Sequence, residues 1–332
     1  MKLTHTQRAI ENTPKVFSTN WKKKSQTSRS LITKTKPKRI IFVGTGSSYH
    51  VALWACWARV ELGITLETIP ITSWEILARR LSPGKGDLLV FISHRGKSGL
   101  TAKLCSRFSS IPHILISAVG SPHDRFPQIE TVEPEKSNAH TVSLMGAMNA
   151  VLEILAAASK SSQVEKNIAE IRKIVLKKLN PTLKQNIFFP KGELYFIGAG
   201  IMSAIALEAT LKAKEMGRVA CSGYLLEEFL HGPSIALQKN DLVILLNTEV
   251  IHDHFLWEER VRTLERHCRG CKVKLVKWAP SKQIRGSNAK PNLKHLFSLI
   301  ASFVVLYEIQ KTLLNQSLRL KINPDLNPLA DE

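Results

Sequence analysis

Three short apolar runs in this chain each stop at a glycine- or serine-rich turn that opens a helical pattern. They are Ile40–Val43, followed by Gly44-Thr45-Gly46-Ser47-Ser48-Tyr49; Leu88–Ile92, followed by Ser93-His94-Arg95-Gly96-Lys97-Ser98; and Leu194–Ile197, followed by Gly198-Ala199-Gly200. Unbroken apolar runs of this length read as buried strands, and helices between successive strands supply the right-handed crossovers of a parallel sheet. Turns at the carboxyl ends of such strands are where open α/β sheets bind ligands. Hydroxyls and free backbone N–H groups at a helix start suit a phosphate.

The pattern predicts strands at Arg39–Val43, Thr65–Ile69, Leu88–Ile92, His113–Ser117 and near Ile129–Val132. Helices Ser48–Leu62, Ser73–Arg80, Ser98–Phe108 and Val142–Ser159 fall among them. A polar helix, Val164–Leu179, leads to a second half with strands Leu194–Gly198, Asp241–Leu246 and Lys272–Val276. Helices Ser203–Met216, His254–Cys268 and Leu293–Leu314 accompany those strands, with a loop at His231-Gly232-Pro233. Four segments are expected: a basic arm over 1–37, a first domain over 38–160, a helical linker over 161–190 and a second domain over 191–332. The arm is expected to hold a short helix, Thr4–Phe17, and a polar linker, Lys22–Lys38.

Formal charge is +20, and residues 1–38 hold ten Lys/Arg against the single acid Glu11. The remainder is still basic, which favours anionic ligands by field focusing. Nonspecific association with nucleic acid or membrane surfaces is compatible with that charge, but the arm carries no recognisable DNA-reading motif, so no specific nucleic-acid partner is expected. No apolar run reaches spanning length; Leu296–Leu306 and Val151–Ala158 read as buried helices, and no membrane partner is expected. The first residues lack the apolar stretch of a secretory signal, which points to the cytoplasm. The cysteines at 56, 105, 221, 268 and 271 are odd in number and scattered, which argues against a disulfide framework. Cys268 and Cys271 form a CxxC beside His267, but a zinc site wants a second pair; Gly270 reads as a helix C-cap there.

The residues with the most chemistry lie on and after the third turn. Spacings of four and three put Glu208, Lys212 and Glu215 on one helix face. His231 follows the acidic pair Glu227 and Glu228. Carboxylates, an ammonium and an imidazole suit proton movement near neutral pH; the plainer reading is a salt-bridged helix and an ordinary loop. A dinucleotide fingerprint is a poor fit, because Tyr49 and Ser203 stand where the third glycine belongs. Glu67 falls about where a ribose-binding acid would lie, yet the Ser47/Ser48 pair suits a monophosphate better.

Together these segments resemble the sugar isomerase (SIS) family over about residues 38–330, in two tandem units. The first phosphate loop of that family usually reads GCGTSY, and residues 44–49 read GTGSSY; the second usually reads SQSGET, and residues 93–98 read SHRGKS. A third stretch, EIGVAST, corresponds to Glu135-Lys136-Ser137-Asn138-Ala139-His140-Thr141. The block ALEGALKLKE followed by GELKHGP corresponds to 206–215 and 227–233. The resemblance implies a flavodoxin-like three-layer αβα fold in each domain. It implies catalysis by Glu215 as proton shuttle between C1 and C2, His231 as ring opener, and Glu208 and Lys212 as orienting groups. Thr45, Gly46, Ser47, Ser48, Ser93, His94, Arg95, Ser98, Asn138 and His140 would bind the phosphorylated sugar. No metal and no organic cofactor is expected, and a homodimer is, because the His231 loop often completes a neighbour's pocket.

Departures qualify the likeness. Arg95 and Lys97 replace Ser and Glu, and His94 and His140 replace a Gln and a Ser-like position, four changes that suggest a ligand with an additional anionic group; the plainer alternative is that Arg95 and Lys97 point into solvent. Residues 322–332 hold no lysine where synthases carry one, and the forty residues before the first strand leave no room for a glutaminase domain. The expectation is therefore a phosphosugar isomerase, deaminase or deglycase without glutaminase activity. The alternative is a non-catalytic sugar-phosphate sensor on the same scaffold.

Overall fold

The computed structural model describes residues 3–78, 81–96, 99–121, 126–179, 188–246, 254–278 and 296–325. Contacts divide the chain into two compact units, Glu11–Leu176 and Met1–Ile10 with Lys177–Glu332.

The first unit is built on five parallel strands: β1 (Arg39–Gly44), β2 (Glu67–Thr72), β3 (Asp87–Ile92), β4 (His113–Ser117) and β5 (Gln128–Glu130). Their order is β2-β1-β3-β4-β5, so the chain reverses its winding between β1 and β3. Helices α4 (Ser47–Glu61), α5 (Ser73–Leu77), α6 (Gly99–Arg107) and α7 (Val142–Ser159) cover the sheet. Ile41, Val43, Leu89, Phe91 and Leu115 on one face pack on Ile76 of α5 and Leu104 and Cys105 of α6. α4 and α7 pack together, with α4 also against β1 and β2. Every residue of β3 is buried, as an unalternating central strand requires. β2 runs Glu67–Thr72 rather than Thr65–Ile69; it pairs only with β1, and an edge position tolerates Pro70. Glu67 therefore starts β2 opposite Arg39, at the far end of the strand from Gly44, which removes it from the place of a ribose-binding acid.

The expected polar linker over Lys22–Lys38 is instead largely helical. α1 (His5–Phe17) is followed by α2 (Trp21–Lys24) and α3 (Gln26–Thr35), and α8 (Ser162–Lys178) closes the unit. Trp21 is buried. Arg29 and Arg172 both grip the buried Glu153, at 3.0 and 2.7 Å, and Arg29 also meets Glu165, which Lys22 reaches at 3.2 Å. Lys24 donates to the carbonyls of Glu130 and Thr131. Basic residues of the expected polar linker thus serve partly as internal partners for acids and carbonyls.

The second unit holds four parallel strands in the order β7-β6-β8-β9: β6 (Leu194–Gly198), β7 (Cys221–Leu225), β8 (Leu242–Leu246) and β9 (Lys274–Trp278). α9 (Ile201–Gly217) and α12 (Phe297–Arg319) pack together on one side. α10 (Leu226–Leu230) and α11 (His254–Gly270) supply Leu226, Phe229, Val261 and Leu264 to the core on β6 and β8. At the N-terminus His5 N–H, Thr6 N–H and Thr6 Oγ1 donate to Asp325 at 2.6, 2.9 and 2.7 Å, which ties the start of α1 to this unit. β7 and α10 were not expected; Cys-Ser-Gly-Tyr-Leu is a weak strand pattern at a sheet edge. Gly270 is the last helical residue rather than the cap, and Lys272 takes the left-handed conformation at φ 56°. α7 and α12 are long and apolar enough to cross a membrane, contrary to the sequence reading, but 89% of each apolar window is buried in the protein.

The same local geometry recurs at the first strand of each unit. A β-carbon on Gly44 would meet the Ser48 carbonyl carbon at 2.5 Å, and one on Gly198 would meet the Met202 carbonyl oxygen at 2.2 Å. Two residues on, Gly46 and Gly200 have φ of 57° and 55° and cap the helices.

Two outcomes follow from these contacts. Gly198→Ala should lower unfolding free energy by about 2 kcal/mol or more in urea titration, because rigid backbone must move. At the opposite end of the first sheet Asp87 accepts both Arg39 Nε and Arg39 Nη2 at 2.8 Å, and those bonds hold its carboxyl below the usual range. Such a group stabilises above its unfolded pKa, about 3.9, and loses that contribution as pH falls through the lower folded value. Asp87→Asn should therefore cost about 1–2 kcal/mol at pH 7, with the difference from wild type closing below about pH 4.

Candidate functional site

In the first unit the structure gathers the expected ligand turns at one edge. β1 and β3 are adjacent and in register, Val43 opposite Phe91, so the turns after Gly44 and Ile92 leave neighbouring strand ends. Thr45 and Gly46 are exposed, and Ser47 and Ser48 begin α4 half-buried. Ser93 is half-buried; its N–H donates to Ile116 O and its carbonyl accepts from Gly96 N–H, both at 3.0 Å. Arg95 is exposed, and Ser98 lies outside the described residues.

His94 ties this turn to the loop that carries Asn138 and His140. Its carbonyl accepts from Ala118 N–H at 2.8 Å, and its Nε2 accepts from Glu135 N–H at 2.9 Å. Its ring lies 5.2 Å from that of His140. Burial pushes the His94 imidazole down to about 4; His140 and Arg95 add to that and Glu135 opposes it. His94 is therefore an uncharged ring at neutral pH, not a further cation. His140 holds a left-handed backbone at φ 43°, a conformation with a steric cost for a residue with a β-carbon. The carboxylate of Glu135 is spent on the start of α7, accepting from Thr141 N–H, Thr141 Oγ1, Ser143 N–H and Ser143 Oγ at 2.7, 3.0, 3.0 and 2.6 Å. That organising role escaped the sequence reading; an acid shortly before Thr and Ser at a helix start was its only signal.

In the second unit α9 brings three of the four expected catalytic residues together. Lys212 is fully buried and contacts Glu208 at 3.1 Å and Glu215 at 2.6 Å. Burial alone would lower the Lys212 pKa, but Glu208 and then Glu215 outweigh it, so the value is raised and the ammonium stays charged. The Glu208 side chain is 2% exposed and that of Glu215 27%, so solvent reaches the cluster through Glu215. His231 stands apart from the cluster at the end of α10. Its side chain is 73% exposed, and among the described residues its Nε2 meets Glu227 at 3.1 Å. Ser234, in the 3-10 turn Pro233–Ala236, pairs with His267 Nδ1 at 2.9 Å.

Among the described residues no group of three or more His, Cys, Asp or Glu is arranged to hold a metal. All five cysteines are free, and burial raises the Cys268 thiol to about 11. Cys268 is buried near the end of α11, and Cys271 follows that helix half-buried.

Removal of the buried cation gives a direct test of the cluster. Lys212→Met leaves two carboxylates without their ammonium and should cost about 3–5 kcal/mol in denaturant titration. Glu208→Gln combined with Lys212→Met should recover part of that loss, a coupling read from the double-mutant cycle.

Comparison with known proteins agrees with this geometry. Residues 187–249 match the SIS domain model. A glutamine–fructose-6-phosphate aminotransferase (isomerizing) from Sulfurisphaera tokodaii is 25% identical over 258 residues, covering 72% of this chain and 41% of that protein. The chain thus spans less than half the length of this curated relative. Among solved structures, the C-terminal domain of glucosamine-fructose-6-phosphate aminotransferase from Francisella tularensis has a TM-score of 0.75 at 20% identity, covering 96% of each chain. Tagatose-6-phosphate ketose/aldose isomerase from Escherichia coli has a TM-score of 0.73 at 17% identity, covering 98% of this chain and 96% of that one. Residues 187–249, which span β6, α9 and β8, are thus similar in sequence to the SIS domain, and nearly the whole chain is similar in fold to the C-terminal domain of the Francisella tularensis aminotransferase.

Proposed function

We propose that this protein is a cytoplasmic phosphosugar isomerase, or a deaminase or deglycase, acting on a sugar or amino-sugar 6-phosphate. The observation that carries this reading is the cluster on α9. A sealed ammonium fixes two carboxylates, and only Glu215 presents substantial surface. Glu215 then moves a proton between C2 and C1 through an enediol or enolamine, Glu208 and Lys212 hold its position, and His231 assists ring opening. Thr45, Gly46, Ser47, Ser48, Ser93, His94, Arg95, Ser98, Asn138 and His140 hold the phosphorylated substrate, which orients the reacting carbons at a distance from the phosphate. The paired glycine geometries and the strand orders β2-β1-β3-β4-β5 and β7-β6-β8-β9 support a tandem, flavodoxin-like repeat. A homodimer fits a His231 turn that stands exposed on a single chain.

A non-catalytic sensor of sugar phosphates is the second reading, supported by the altered second loop, Ser93-His94-Arg95-Gly96-Lys97-Ser98. Solvent deuterium exchange at C2 separates the two. With a hexose or hexosamine 6-phosphate, wild type should incorporate deuterium at C2 and Glu215→Gln should reduce that rate by at least about a hundredfold while still binding ligand. Binding without exchange in wild type would select the sensor, and exchange undiminished in Glu215→Gln would remove that residue from the chemistry.

A further inference from the structure

The His231 turn is gripped from α11 in a way that selects which imidazole nitrogen is available. Glu227 and His231 lie one helical turn apart on α10, and Glu227 Oε1 is 3.1 Å from His231 Nε2. The other oxygen of the same carboxylate, Oε2, is 3.1 Å from Arg260 Nε on α11. An ionised carboxylate only accepts hydrogen bonds, so Nε2 must be the donor and carry the ring proton. The hydrogen bond at one ring nitrogen sets the protonation of the other, which leaves Nδ1 with its lone pair when the ring is neutral. Glu227 is also a departure in the aligned block, where the related pattern GELKHGP has glycine. A second pin, His267 Nδ1 to Ser234 at 2.9 Å, holds the far side of the turn to the same helix.

We propose that Glu227, itself held by Arg260, is a positioning residue that engages His231 Nε2 and so assigns Nδ1 as the nitrogen that opens the sugar ring. The inference rests on the proposed sugar-phosphate chemistry. In the step, Nδ1 takes the proton of the anomeric hydroxyl, and that O–H electron pair becomes the second bond of the carbonyl. The bond from the anomeric carbon to the ring oxygen breaks toward that oxygen, which then receives the proton from Nδ1. No proton is gained or lost overall, and no further reactant is needed. The imidazolium that exists between the two transfers is stabilised by the Glu227 carboxylate, as an acid does for the histidine of a catalytic triad. Arg260 keeps that carboxylate oriented, which a lone exposed pair would do poorly.

The test has one arm that needs no turnover. In the full-length protein labelled with 15N-histidine, long-range proton–nitrogen correlations should show neutral His231 mainly as the Nε2-protonated tautomer. Glu227→Gly, the residue of the related pattern, should erase that bias. A dominant Nδ1-protonated form in wild type would overturn the proposal. In the kinetic arm, Glu227→Gly and Arg260→Gln should each lower kcat about fivefold on a cyclic hexose 6-phosphate with KM little changed. The double variant should lose no more than Glu227→Gly, and Glu227→Asp should recover part of the loss. Deuterium exchange at C1 of an acyclic phosphorylated ketose, which needs no ring opening, should be unaffected in all of them. Equal losses on cyclic and acyclic ligands would refute the positioning role while leaving the isomerase reading intact. Absence of exchange on any sugar phosphate in wild type would instead remove that reading and the ring-opening role together.

Discussion

At Gly44 and Gly198 the following helix lies too close to the strand end for a side chain to exist there. This constraint governs the first strand-to-helix turn of both units. A helix that begins so near its strand must enter through a left-handed residue, which Gly46 and Gly200 provide. The result is a tight turn at the carboxyl edge of a parallel sheet, closed by Ser48 N–H to Thr45 O in the first unit and by Met202 N–H to Ala199 O in the second. In the first unit the reversal of winding between β1 and β3 places a second turn beside it. His94 then couples that second turn to the loop at Glu135–His140 through a hydrogen bond to the Glu135 backbone.

The second unit solves a different problem. A fully buried ammonium is stable on α9 because two carboxylates meet it, and the same ammonium holds those carboxylates in place. Ionic groups buried in this way contribute weakly to stability compared with apolar packing, but they specify geometry. The asymmetry in exposure gives that geometry a direction. Glu208 and Lys212 are closed off from water, and Glu215 is the member that a ligand can touch. The His231 turn obeys the opposite logic, being exposed and held from outside by α11 through Arg260 and His267.

Much of this was legible in the residues. The spacing of Glu208, Lys212 and Glu215 placed them on one face before any contact was seen, because helical periodicity leaves no alternative. β4 and α7 fall at His113–Ser117 and Val142–Ser159, where the pattern put them. Pro70 hid the true extent of β2, because a proline argues against a strand unless the strand is at an edge, and edge position is not a local property. β7 was hidden for a related reason: Cys-Ser-Gly-Tyr-Leu pairs with β6 because that edge is vacant, not because its own pattern demands it. The segment Lys22–Lys38 reads as a polar linker, since charge alone does not reveal that Glu153 and Glu165 are partners for Arg29.

Sequence by itself determined the class of fold, the ends of the central strands, the helix face that bears the acid–ammonium cluster and the glycine-bearing turns that follow the first strand of each unit. Each of these follows from periodicity or from glycine's lack of a β-carbon, which act within a few residues. Tertiary structure alone decided that Lys212 is sealed while Glu215 is not, that Glu67 stands at the wrong end of its strand for a ribose, that His94 is neutral, and that Glu227 joins His231 to Arg260. Burial, strand register and contacts between distant helices are set by how elements pack, and no local pattern encodes which neighbour a side chain will meet.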